Sequence, residues 1–234
     1  MNADQNSAER ESALRPIALG VAAAAGILAA ILRVVPHPPN FSSVGALGLF
    51  GGARLPAWKA YAFPVGIMIV SDLMLWVLTG FDFKYSLGHL SRGFVYASFM
   101  IYVFIGRSLL RQRTSIASIT LAATLGALQF FILTNFCEWL FQPYQPYYDE
   151  IPAAFRYSRD WDGLVTCFAV ALPFYQGELP YVAHPFMLFT DFRLSFVWLY
   201  LGDLGFTILY LLAYAKLSNI IAQPARTALP APNA

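Results

Sequence analysis

Apolar residues occur along this chain in long unbroken runs, and short polar stretches separate the runs. Ile17–Val35, Ala60–Thr79, Gly93–Leu109, Ser115–Leu140 and Ser195–Leu217 each suit a helix that crosses a membrane, which takes roughly 17–25 apolar residues. A sixth run, Ser42–Leu55, is shorter and is thinned by Gly45, Gly48, Gly51 and Gly52. It predicts a short, tilted or partly re-entrant helix. Gly163–Phe174 is apolar but too short to cross, and reads as a surface or re-entrant helix. The expected fold is all-α: a six-helix transmembrane bundle with a short second helix and a long external segment, Phe141–Leu194, before the last helix.

Prolines punctuate the pattern. Pro16 suits the first turn of helix one, because it has no N–H to leave unpaired. Pro36, Pro38 and Pro39 end that helix and stiffen the turn after it. The leader Met1–Arg15 is nearly neutral and the run after it is long, so the first helix is expected to be retained rather than cleaved as a signal. The expected division is a cytoplasmic tail at 1–15, one membrane domain at 16–221 and a disordered Pro/Ala tail at 222–234.

Composition agrees with lipid as the solvent. Of 234 residues, 58% are hydrophobic and 12% are charged, and the mean hydropathy is +0.56. Soluble domains carry about 25% charge. A net charge of +2, with no basic cluster beyond Arg107, Arg111 and Arg113, gives no support for nucleic-acid binding. Those arginines mark an inner loop. With the N-terminus inside, nine Lys and Arg fall on the inner side and six on the outer. Both termini are therefore expected in the cytoplasm of a bacterial inner-membrane protein. Cys137 and Cys167 form no CxxC spacing and read as buried small hydrophobes.

Two aspartates interrupt apolar runs, Asp72 in S-D-L and Asp203 in G-D-L. An aspartate at the centre of a spanning helix costs about 2.5–3.5 kcal/mol on insertion scales, so such residues face the bundle interior and have partners or a function. Counted from the helix ends, both should lie about 10–12 Å deep in the outer half, at one shared depth. His37, Asn40 and His89 fall in outer loops. Asn135 and Glu138 share a helix face beside Trp139, where an amide, a carboxylate and an indole could grip a small planar ligand. These eight residues form the expected ligand site. Neither HxxxH nor CxxC spacing supports a metal, and no cofactor is expected. No nucleophile elbow, P-loop, HExxH or Rossmann pattern is present, so an enzyme is not expected. Ala18, Ala22, Ala25 and Ala29 line one face of helix one, and small faces let helices approach closely in lipid.

P-H-P-P-N-F-S-S-V-G-A-L-G-L-F-G-G-A (Pro36–Ala53), S-D-L (Ser71–Leu73), T-N-F-C-E-W-L (Thr134–Leu140), D-G-L-V-T-C-F-A-V-A-L-P-F (Asp162–Phe174) and L-G-D-L-G-F-T (Leu201–Thr207) resemble an uncharacterised bacterial membrane family. That family is similar to the substrate-binding S components of energy-coupling factor (ECF) vitamin transporters. The resemblance covers about Leu32 to Ala213. It implies six helices, a pocket open to the outer side, and external loops that close it. It also implies a transmembrane coupling subunit docked on the alanine face of helix one, with ATPases in trans. Gln176–Leu194 is bulkier than the family pattern. The expected function is the substrate-binding subunit of a small-molecule uptake system. The alternatives are a stand-alone ion-coupled secondary transporter and a non-transporting envelope scaffold.

Overall fold

The structure is a computed structural model and describes residues 2–35, 37–38, 40–78, 80, 90–145, 148–151, 153, 156–171 and 195–227. Among these, seven α-helices follow one another: α1 (Asn2–Val34), α2 (Val44–Arg54), α3 (Ala57–Leu78), α4 (Arg92–Leu110), α5 (Ile116–Phe141), α6 (Trp161–Ala171) and α7 (Ser195–Thr227). Five segments are long and apolar enough to cross a membrane: Ser12–Val34, Ala57–Leu78, Arg92–Leu110, Ile116–Tyr144 and Phe196–Ile220. Large side chains such as Ile27, Val77, Phe104 and Leu212 stand more than half exposed on them. An all-helical, multi-pass membrane protein accounts for that apolar exterior.

The sequence reading placed most elements to within a few residues and erred at both ends of the chain. Pro16 does not start α1 but lies inside it, and residues 2–15 continue the helix. Residues 222–227 continue α7, so the expected disorder does not begin at 222. Ser115 does cap α5: its Oγ accepts from the Ser118 N–H at 3.1 Å, and the Ser118 Oγ accepts from the Ser115 N–H at 2.9 Å. This reciprocal pair satisfies donors that a helix start leaves open. Asp160 caps α6 in a similar way. Its Oδ1 accepts from Ser158 Oγ at 2.6 Å and from the Gly163 N–H at 2.8 Å, and these bonds hold its carboxyl below the usual carboxylate range.

The short helix α2 is the axis of the molecule. Every residue from Val44 to Ala53 is buried. It touches α1, α3, α4, α5 and α7, and its most extensive packing is against α4. Glycines make this possible. A Cβ on Gly52 would run into the Val103 carbonyl and lie 2.7 Å from the Arg107 nitrogen. A Cβ on Gly106 would run into the Leu49 backbone. Without those atoms the two backbones meet directly, as small-residue contacts permit in lipid. Ser98 and Gln129 add a polar clasp between α4 and α5. Ser98 Oγ donates to Gln129 Oε1 at 3.0 Å, and Gln129 Nε2 donates to the Ser98 carbonyl at 3.3 Å.

The alanine stripe of α1 is also used internally. Ala18, Ala22, Ala25 and Ala29 are all buried in the core, where α1 packs on α2, α3 and α7. The face expected to dock a separate coupling subunit is thus covered by helices of the same chain. The same smallness that suits an intermolecular contact suits close packing within one chain.

Gly106→Ala and Gly52→Ala are expected to lower the unfolding temperature in detergent, with overpacking of about 1–3 kcal/mol each. Gly20→Ala and Gly66→Ala, where an added methyl meets nothing within 4 Å, should be neutral or slightly stabilising. Equal melting of all four variants would show that the α2–α4 contact is not this tight.

Candidate functional site

Asp72 lies on α3, six residues before its end at Leu78, or about 9 Å from that end. It is almost wholly buried, and three side chains converge on it. Arg33 Nη2 donates to Oδ1 at 2.5 Å. Arg92 Nη1 pairs with Oδ2, and the Tyr96 hydroxyl donates to the same oxygen. Arg33 comes from the last turn of α1, where a cation suits the helix dipole. Arg92 is the first residue of α4, where the dipole opposes a cation. The Asp72 carboxylate offsets that conflict. One acid thereby ties α1, α3 and α4 together at one end of the bundle.

The two arginines outnumber the acid, so the cluster carries a net positive charge. Arg33 Nε and Arg92 Nε are buried and have no hydrogen-bond partner among the described residues. Both guanidiniums border a cavity of about 310 Å³. His37, Asn40, Ser42 and Ser91 share its lining, and Met68, Leu75, Val95, Phe99, Phe130 and Leu199 supply apolar wall. The turn after α1 is shaped to reach this place. Asn40 adopts a left-handed φ of 59°, a conformation that asparagine tolerates better than most residues. His37 Nδ1 lies 2.8 Å from the Val35 carbonyl oxygen. Phe41 then anchors the turn on α7, with ring centroids 5.5 Å from Phe206 and 6.2 Å from Trp198.

Among the expected site residues, His37 and Asn40 line this cavity, and Asp72 stands behind its two arginines. His89 lies outside the described residues, as does Gln176–Leu194. Asp203 is buried elsewhere. The Tyr102 hydroxyl donates to its Oδ2, while its Oδ1 is buried against Gly45, where a Cβ would collide with it. Tyr96 and Tyr102, which hold the two acids, are six residues apart on α4, or about 9 Å. The two aspartates thus have different partners on α4. The Tyr102 ring lies against Gly45 and Gly126 and stacks on Phe99, with its Cβ against Gly48. That packing directs its phenol to Asp203.

Asn135, Glu138 and Trp139 do not line the cavity either. Asn135 Nδ2 donates to the Phe131 carbonyl of its own helix at 2.7 Å. Trp139 Nε1 donates to the Ser158 carbonyl at 2.8 Å, and the Arg159 guanidinium lies 5.8 Å from its ring centroid. That face of α5 holds down the segment after it. Cys167 extends the same packing by donating its Sγ–H to the Asn135 carbonyl at 3.4 Å; both cysteines are free and buried. Nearby, Gln145 Oε1 accepts from the Leu90 N–H at 3.0 Å and joins the start of α4 to the segment after α5.

Sequence reasoning missed Arg33, Arg92, Tyr96 and Tyr102. Arg33 and Arg92 had been counted as outer-side charges only. A signal was there: a buried acid near one end of a span needs a cation at a similar level.

Residues 15–220 match the family of unknown function DUF6580, and the chain belongs to that family. No curated protein and no solved structure matches it.

Asp72→Ala should be strongly destabilising, by about 3–5 kcal/mol, because it leaves two guanidiniums facing each other without a counter-charge. Adding Arg92→Met to Asp72→Ala should recover part of the loss. Thermal unfolding of the single and double variants measures this coupling, and strict additivity would sink the assignment.

Proposed function

We infer that this member of the DUF6580 family is the ligand-binding membrane subunit of a small-molecule uptake system, and that its ligand is a small acidic molecule with an apolar body. The observation that carries the reading is the pairing of Arg33 and Arg92 at a cavity of about 310 Å³, held side by side by a single carboxylate. Ligand pockets typically run from about 300 to 1,000 Å³ and combine apolar walls with a few converging polar groups. A guanidinium fork matches a carboxylate in shape and charge. Arg33 and Arg92 would take the acidic group, His37 and Asn40 would orient it, and Phe99, Phe130 and Leu199 would enclose the apolar part.

In this reading α2 completes a sixth crossing and both termini lie in the cytoplasm. The acid-free basic turns Arg54–Lys59 and Arg107–Arg113 support that orientation. The likeness to ECF S components rests on the sequence motifs. The chain has no ATP-binding motif of its own, so pumping energy would come from partner subunits. The scaffold alternative loses the surface it relied on, because the alanine stripe is buried. Uptake into vesicles by the purified chain alone, driven by an ion gradient, would favour the secondary-transporter alternative.

Native mass spectrometry of the protein in mild detergent is expected to reveal a retained acidic small molecule. His37→Ala and Asn40→Gly, the latter keeping the left-handed backbone unstrained, should each weaken its retention about tenfold, equivalent to about 1.4 kcal/mol, without lowering the unfolding temperature. Trp139→Ala should leave retention intact. An empty protein in every mild preparation, with no small acid raising the unfolding temperature, would overturn the reading.

A further inference from the structure

The opposite end of the bundle holds a second cavity, larger than the first at about 470 Å³. Arg15 of α1, Arg54 of α2, and Arg107 and Arg111 at the end of α4 all line it, with Tyr214 of α7 and the apolar residues Leu14, Ala53, Leu55 and Pro56. Four guanidinium-bearing residues from three helices border one basin, and none of the described residues that line it carries a carboxylate.

Part of this charge is structural. Arg54 donates to the Leu110 carbonyl at 3.3 Å, the Arg111 carbonyl at 3.4 Å and Thr114 Oγ1 at 2.6 Å, so it closes the end of α4. Its guanidinium also lies 5.5 Å from the Tyr214 ring centroid. Two donors among these arginines are not used up. Arg54 Nε and Arg107 Nη1 are buried and have no partner among the described residues. A buried cationic donor without an acceptor is costly, and an anion seated between the arginines would remove that cost. Arginine suits phosphate in particular, because its planar fork matches the phosphate oxygens. Basic pockets between membrane helices recognise lipid headgroups by this chemistry.

We propose that the basin of Arg15, Arg54, Arg107 and Arg111 is a binding site for a phosphate group, carried by an anionic phospholipid headgroup or by a free phosphate. The site is independent of the uptake reading. It lies at the other end of the bundle and shares no residue with the Asp72 cavity. Arg107 and Arg111 are the donors that the ligand would use most, since Arg54 is held by the α4 carbonyls.

The test uses the full chain in phosphatidylcholine nanodiscs with and without phosphatidylglycerol. Retained lipid is counted by native mass spectrometry after release into detergent. Detergent samples are titrated in parallel with inorganic phosphate against chloride at equal ionic strength, with the unfolding temperature as readout. The wild-type chain should hold one phosphatidylglycerol, and Arg107→Gln/Arg111→Gln should reduce that retention at least tenfold. The double variant Lys59→Gln/Arg113→Gln, which removes equal charge outside the lining, should retain it. If phosphatidylglycerol is not held but inorganic phosphate stabilises the wild type and not Arg107→Gln/Arg111→Gln, the site stands and its ligand is the free anion. The proposal is overturned if Arg107→Gln/Arg111→Gln behaves as the wild type in both arms. It is equally overturned if Lys59→Gln/Arg113→Gln loses as much as Arg107→Gln/Arg111→Gln, because general surface charge would then explain the binding.

Discussion

Charge inside hydrocarbon has to be answered by charge, and the Asp72 cluster shows how this chain does it. An isolated carboxylate at that depth would be expelled or neutralised. Here α1 and α4 each contribute a guanidinium, and α4 adds a phenol about one turn in. None of these groups is tolerable in its position alone. Together they fix the mutual height of three helices at one end of the bundle, and the cavity at that end inherits its walls from them. The two arginines serve both purposes, since they pair with Asp72 and also line the cavity.

A second constraint is steric. Because α2 is too short to cross a bilayer by itself, about 16 Å of helix against a core of about 30 Å, it is stable only when its neighbours surround it. Gly52 and Gly106 bring α4 within backbone contact, and Gly45 leaves room for the Asp203 carboxylate. Tyr102 fills the space between α2 and α5 and satisfies one oxygen of that acid. The polar atom and the missing side chains thus form one arrangement: the glycines admit the groups that a larger residue would exclude.

Much of the fold could be read from the chain, because hydrophobic run length is a strong signal in membrane proteins. Asp72, His37 and Asn40 stood out for the same reason, being polar groups where apolar ones were expected. The pairing partners could not be read. Whether Arg33 faces water or a buried acid depends on how α1 is rotated against α3, and no local pattern encodes that. The partner of Asp203 could not be read either, because counting from a helix end ignores which neighbour reaches it, and that neighbour is Tyr102. Asn135 and Trp139 looked like ligand groups, yet the Asn135 amide bonds a carbonyl of its own helix and the Trp139 indole holds the segment after α5. The alanine stripe was ambiguous in kind, since close packing has the same sequence signature within a chain as between chains.

The length of the two terminal helices has a mechanical corollary. Both α1 and α7 run for 33 residues, about 50 Å each. Arg15 and Tyr214 border the same basin, so the stretches beyond them continue past that end as roughly 18–20 Å of rod instead of slack chain. A spin label or fluorophore attached near either terminus would ride on a lever whose fulcrum is the bundle. Small tilts of α1 or α7 would reach such a reporter amplified.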